Sequence, residues 1–79
     1  MTQRTTRAIA LSSDQDAKTY ISTIEDNGIT YTGGYGVLCD MGADIWGNMY
    51  QGQGKHIEVN YQRKDGKTTI TAFETTIAA

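Results

Sequence analysis

The stretch Ser12 to Gly28, SSDQDAKTYISTIEDNG, constrains the fold more than any other part of the chain. Ala17, Tyr20, Ile21 and Ile24 recur at i, i+3, i+4 and i+7, which places all four on one stripe of a 3.6-residue period, and Lys18, Ser22, Glu25 and Asp26 take the other side. The start signals agree. Ser12 or Ser13 can accept from an orphan backbone N–H, with Gln15 or Asp16 three residues on, and Asp14 and Asp16 lie at the positive end of the helix dipole. At the far end Asn27-Gly28 tolerates the left-handed conformation that closes a helix. One amphipathic helix is expected here, and because an isolated helix of this length is marginal in water, it needs a surface to lie on.

Strands must supply that surface. Ile57, Val59 and Tyr61 alternate with Glu58, Asn60 and Gln62, Lys64-Asp65-Gly66-Lys67 makes a turn, and Thr68 to Ile77 returns as a threonine-rich strand. A two-residue Asp-Gly turn pairs Tyr61 with Ile70 and Val59 with Ala72, whereas a three-residue turn pairs Ile57 with Phe73; the sequence leaves both registers open. Thr5 to Leu11 alternates loosely and reads as a strand before the helix. After the helix, Ile29 to Thr32 and Tyr35 to Cys39 flank Gly33-Gly34, a dipeptide suited to a hairpin turn. That register pairs Ile29 with Leu38 and lays Tyr31 across Gly36. It puts Ile29, Tyr31 and Leu38 under the helix, and Thr30, Thr32, Tyr35, Val37 and Cys39 on the other face.

From Asp40 to Gly54, DMGADIWGNMYQGQG has no period and four glycines, so a long loop, or a short helical turn at Ala43 to Trp46, is expected. Such connections are uncommon in compact domains and are often functional. The expected class is α+β, a single domain spanning residues 1–79. A small antiparallel sheet of four to five strands carries one amphipathic helix on one face, in the order strand, helix, strand, strand, loop, strand, strand.

A chain of 8.7 kDa buries a small share of its surface, so its stability margin is expected to be thin. Twelve threonines and five tyrosines favour strand, and the absence of proline speaks against a disordered linker. No run approaches the roughly 20 apolar residues of a membrane span, and MTQRTTRAIALSS has too short an apolar segment for a secretory signal. A single cysteine, Cys39, suits a reducing compartment, and the expected location is cytoplasmic. Charge is uneven. Asp14, Asp16, Glu25, Asp26, Asp40 and Asp44 face Lys18 alone, while Arg4 and Arg7 precede them and a mild basic excess follows. That inventory is poor for neutralising many phosphates and too weak to imitate DNA.

Chemistry-bearing groups are sparse. Gly33-Gly34-Tyr35-Gly36 resembles a phosphate cradle only in its glycines, because strand formers follow where a helix should open. Cys39 and His56, oriented by Asp40 or Asp44, would make a thiol nucleophile and its base, yet one unaccompanied pair reads first as a packed thiol and a strand-end imidazole. Asp40, Asp44 and Asn48 lack the closing glutamate of a calcium loop. Glu58 and Glu74 could face each other across the last hairpin but lack an evident cleft. No catalysis, cofactor or metal is expected.

Trp46 with Met41, Asp44, Ile45, Met49 and Tyr50 is the exception, since tryptophan and tyrosine dominate binding hot spots and methionine adapts to varied partners. The expected function is a non-enzymatic small binding protein acting through a protein surface at residues 40–54. Its size suits a phage or bacterial accessory inhibitor of a larger complex, of the anti-CRISPR or another anti-defence type. One alternative is a nucleic-acid-binding hairpin using Lys55, Arg63, Lys64 and Lys67, with Tyr61 and Tyr35 as stacking platforms. The other is a structural homo-oligomer joined through a sheet face or an edge strand.

Overall fold

The computed structural model, which describes residues 3–38 and 44–78, runs through β1 (Gln3–Leu11), α1 (Asp14–Asp26), β2 (Thr30–Leu38), β3 (Asp44–Gly52), β4 (Lys55–Lys64) and β5 (Lys67–Ala78). The five strands form one open antiparallel sheet in the order β1-β5-β4-β3-β2, with the single helix against one face. The expected α+β class and element order hold.

Helix α1 starts and stops by the mechanisms its sequence announces. Ser13 is the N-cap, and its hydroxyl accepts from the Asp16 amide at 3.1 Å. At the other end the Gly28 amide bonds the Glu25 carbonyl and the Ile29 amide bonds the Ile24 carbonyl, both at 3.0 Å, with Gly28 at φ +87°. These two bonds are the Schellman pair, and Ile24 and Ile29, which flank it, are both buried. Ala17 and Ile24 enter the core with Ile29, Tyr50, Ile57, Val59, Ile70 and Ala72, and Tyr20 and Ile21 pack at its margin. The expected stripe is the buried one.

The β4–β5 hairpin resolves the open register. Lys64 pairs with Lys67, Tyr61 with Ile70 and Val59 with Ala72, around a two-residue turn in which Asp65 and Gly66 both take left-handed φ of +54° and +76°. Gln53-Gly54 closes β3 onto β4 in the same way, at +54° and +72°. Both are the primed turns whose twist matches that of the flanking strands.

Two expectations are corrected. Gly33-Gly34 is not a hairpin turn: both glycines lie inside the continuous strand β2, where the register slips between Tyr31 and Gly33. Asp44–Gly52 is not a loop but strand β3, paired to β2 on one side and β4 on the other. Accordingly Tyr31 pairs with Tyr50 rather than lying across Gly36, and Leu38 pairs with Asp44 rather than Ile29. The physical cause is that these glycines accommodate neighbouring side chains. Glycine inside a strand marks a bulge or a close approach as often as a turn, and here Tyr35 lies over its cross-strand partner Gly47, so that a Cβ on Gly47 would stand 2.8 Å from the Tyr35 ring.

Strand parity then sorts every side chain. The helix-side face carries Ile9, Leu11, Ile70, Ala72, Glu74, Ile57, Val59, Tyr61, Trp46, Asn48 and Tyr50 in adjoining cross-strand rows. Among the described residues no helix lies over the opposite face, which carries Phe73, Glu58, Asn60, His56, Met49 and Tyr35. Across its middle, the Tyr35 hydroxyl donates to Glu58 at 2.9 Å and accepts from Asn60 at 2.8 Å, and Gln62 donates to the Asn60 carbonyl oxygen at 3.1 Å. This network bolts edge strand β2 to central strand β4 over the bare backbone of β3.

Gly47→Ala should therefore lift the Tyr35 ring and break its hydrogen bonds, at a cost of about 1–3 kcal/mol in urea unfolding. In the Tyr35→Ala background the same change should cost clearly less; equal costs in both backgrounds would show that the ring does not set the penalty.

Candidate functional site

Helix α1 leaves β1 beside Leu11 and delivers the chain to Ile29 at the opposite edge, so it crosses the sheet diagonally and leaves two corners of its own face uncovered. The corners differ in chemistry. One is aromatic and the other is charged.

The aromatic corner is built by β2, β3 and β4. Trp46 stacks on its cross-strand partner Tyr61, rings parallel with centroids 5.4 Å apart, and Tyr31 meets Tyr50 edge-on at 5.7 Å and 70°. Gly34 and Gly36 face Asn48 and Trp46 across β2–β3. The Tyr31 hydroxyl reaches to 3.1 Å from where a Gly34 Cβ would stand. Tyr31 is 55% exposed, the most open large hydrophobic residue among the described residues, while Trp46 and Tyr61 are half-buried and Tyr50 is buried. Burial raises the pKa of Tyr50 and Tyr61, with Asp14 adding to the shift at Tyr61 and the Asn48 hydrogen bond opposing it at Tyr50. Both phenols stay neutral. Rigid aromatic surface with hydroxyl tips is the composition that suits partner binding.

The candidate residues read from the sequence are divided by this geometry. Asp44, Trp46 and Tyr50 share the helix-side face, whereas Ile45 and Met49 point to the opposite one, because all five lie on a strand. Tyr50 is 4% exposed and serves the core. Met41, Cys39 and Asp40 lie outside the described residues. Tyr31 and Tyr61 complete the corner, and sequence reasoning placed neither there, since their partners become visible only once residues 44–52 are known to be a strand. The basic hairpin does not converge. Lys55 sits about 26 Å along β4 from Arg63 at a 3.3 Å rise per residue, and is bound to Glu74. Lys64 and Lys67 pair beside the turn on the opposite face from Arg63. Tyr61 stacks on Trp46, and the hydroxyl of Tyr35 is committed to Glu58 and Asn60. Glu58 and Glu74 lie on opposite faces and do not approach.

No family model matches this chain, and no curated protein or solved structure matches it. Among the described residues, no helix is long and apolar enough to cross a membrane.

The charged corner centres on Glu74. Tyr20 donates to its carboxylate at 3.3 Å, Lys55 Nζ lies 3.3 Å away and Arg7 3.7 Å away, at the mouth of a cleft of about 510 Å³ between helix and sheet. Burial pushes the Glu74 pKa up more than any other single influence, yet the hydrogen bond and charge of Lys55, the charge of Arg7 and the Tyr20 hydroxyl together hold it below the usual value. The same contact, with burial foremost, pushes Tyr20 up to about 12. Phenol and carboxylate thus bind the middle of α1 to β5.

A carboxylate depressed in the folded state stabilises it above the unfolded pKa of about 4.3, and that contribution disappears as pH falls through the folded value. Wild type should therefore exceed Glu74→Gln in urea midpoint at pH 7, with the gap closing below about pH 4. A gap that is independent of pH would refute the ionic role.

Proposed function

We propose that this protein is a non-enzymatic binding protein that engages a larger protein partner through the aromatic corner formed by Tyr31, Trp46 and Tyr61. The observation that carries this reading is the corner itself: a stacked pair, Trp46 and Tyr61, beside an edge-on pair, Tyr31 and Tyr50, all held by strands, with Tyr31 more than half exposed and Trp46 and Tyr61 half-buried. In so small a chain, burying these rings against its own core would be the cheaper use of them. Around the rings stand the phenols and the Asn48 amide, with the Asp44–Arg63 pair in the next row and Asp14 close enough to act on Tyr61, which suits an apolar contact with a polar, charged rim. In its specific form the proposal is an accessory inhibitor of phage or bacterial origin, acting in the cytoplasm by occupying a surface of a defence complex, as anti-CRISPR proteins do.

Tagged wild-type protein should recover a partner from lysate of the source cell, and Trp46→Ala and Tyr31→Ala should each lose at least about 2 kcal/mol of affinity for it, as hot-spot truncations do. Phe73→Ala, on the opposite face, should retain binding. Equal recovery by all variants, with circular dichroism unchanged, would remove the corner from the interface.

A second reading rests on the open sheet. Edge strand β1 is nine residues long, pairs with β5 without a register shift and contains no proline, whereas the other edge, β2, is interrupted by its shift at Tyr31/Gly33. An uninterrupted edge is a template for pairing with another copy. Light scattering from micromolar to millimolar concentration should then show a mass rising above 8.7 kDa; a constant monomer mass would dispose of this reading.

A further inference from the structure

The face that α1 does not cover holds a hollow of about 350 Å³ lined by Arg4, Gln51, His56, Thr75 and Ile77. Its construction follows from register. Gln51, His56 and Thr75 are successive cross-strand partners on β3, β4 and β5, and Arg4 pairs with Ile77 one row further along. Four donor-bearing side chains from four different strands therefore converge on one space.

None of the lining residues is acidic. This distinguishes the hollow from the charged corner on the other face, where Arg7 and Lys55 are both spent on Glu74. Among the described residues, Arg4, Gln51 and His56 donate no side-chain hydrogen bond and form no ion pair, and Thr75 shares one contact with Thr6 at 3.2 Å. Among the described residues, the acidic side chain on this face next to the hollow is Glu58, which stands two positions from His56 along β4 and receives the Tyr35 hydroxyl. A guanidinium fork, an imidazole, a primary amide and a hydroxyl, with no acid among the lining residues and the apolar side chain of Ile77 beside them, match the needs of a group rich in acceptors and negative charge.

We infer that this hollow is a binding site for an oxyanion, a phosphate or carboxylate group, gripped by Arg4 and His56 and oriented by Gln51 and Thr75. Arg4 supplies the planar pair of donors, and the three remaining groups come from adjacent strands of a hydrogen-bonded sheet, so their spacing is set before the ligand arrives. Ile77 at the rim gives an attached hydrocarbon portion a surface to lie on. The site is independent of the aromatic corner, which lies on the other side of the sheet.

The full chain labelled with nitrogen-15 tests this by NMR. Sodium phosphate and sodium acetate are titrated separately at one pH and at constant ionic strength maintained with sodium chloride, following the His56 ring and the Gln51 side-chain amide. Saturable shifts at both groups with either salt, and an unmoved Trp46 indole N–H, support the site; the anion that binds more tightly identifies the ligand as tetrahedral or planar. Arg4→Gln and His56→Gln should each weaken the apparent affinity about tenfold, the scale of one lost charge-assisted contact. Shifts that rise linearly without saturation, that chloride reproduces, or that survive both substitutions would overturn the proposal. Retained dispersion in the spectra of the variants separates loss of binding from loss of fold.

Discussion

The length of one helix against the width of one sheet is the constraint on which this architecture depends. β1 and β2 precede and follow α1 directly, yet they occupy opposite edges of the sheet. Four inter-strand spacings separate them, about 19 Å. The helix has 13 residues and spans about 20 Å at 1.5 Å per residue. The crossover can therefore be made by the helix alone, with short connections at Ser12-Ser13 and Asn27-Gly28-Ile29. The caps at Ser13 and Gly28 set where the helix ends, and so where the chain turns into the strand on the far edge. The crossover also fixes the diagonal, and hence which corners of the sheet stay bare.

Much of this was legible in the sequence because several signals coincided. The apolar stripe, Ser13 and Gly28 specify α1 independently of anything distant, and Ile57, Val59 and Tyr61 with Asp65-Gly66 specify the last hairpin locally. The two strands that escaped recognition share another property: their pattern depends on each other. In β3, Trp46 and Tyr50 alternate with Ile45 and Met49, so large apolar groups point to both faces and the two-residue period vanishes. Gly33, Gly34 and Gly47 read as breakers, yet Gly34 and Gly47 lie beneath Tyr31 and Tyr35, tyrosines three and twelve residues away. A glycine whose justification is a tyrosine of its own strand, as at Gly34, or of the adjacent one, as at Gly47, cannot be told from a turn glycine until the strands and their pairing are known. The candidate surface was partly legible for the same reason. Trp46 was evident as an anchor, but Tyr61 and Tyr31 join it only through register.

Parity along β4 and β5 explains why one face carries a paired charge cluster and the other a hollow lined by donors with no acid among them. Lys55 and Glu74 point toward the helix, while the adjacent His56 and Thr75 point away from it. Neighbours in sequence thus serve opposite surfaces. The net charge of −2 conceals this arrangement, since much of the acidity lies on α1, at Asp14, Asp16, Glu25 and Asp26.

A five-stranded sheet with a helix on one side alone must hold its other face together without a second layer, and the means are visible in the row through Tyr35, Gly47 and Asn60. The phenol spans three strands, covers the backbone of the middle one, and buries Asn60 to 8% exposure with its amide and carbonyl both bonded. Such a polar brace stiffens a sheet without demanding a cover, because every member is satisfied where it stands. The consequence bears on binding. Both the aromatic corner and the hollow beside His56 are presented by strands tied laterally to their neighbours, so less ordering is needed when a ligand arrives than a mobile loop would require. A chain with a modest core can in this way offer two preformed surfaces on opposite sides of a single sheet.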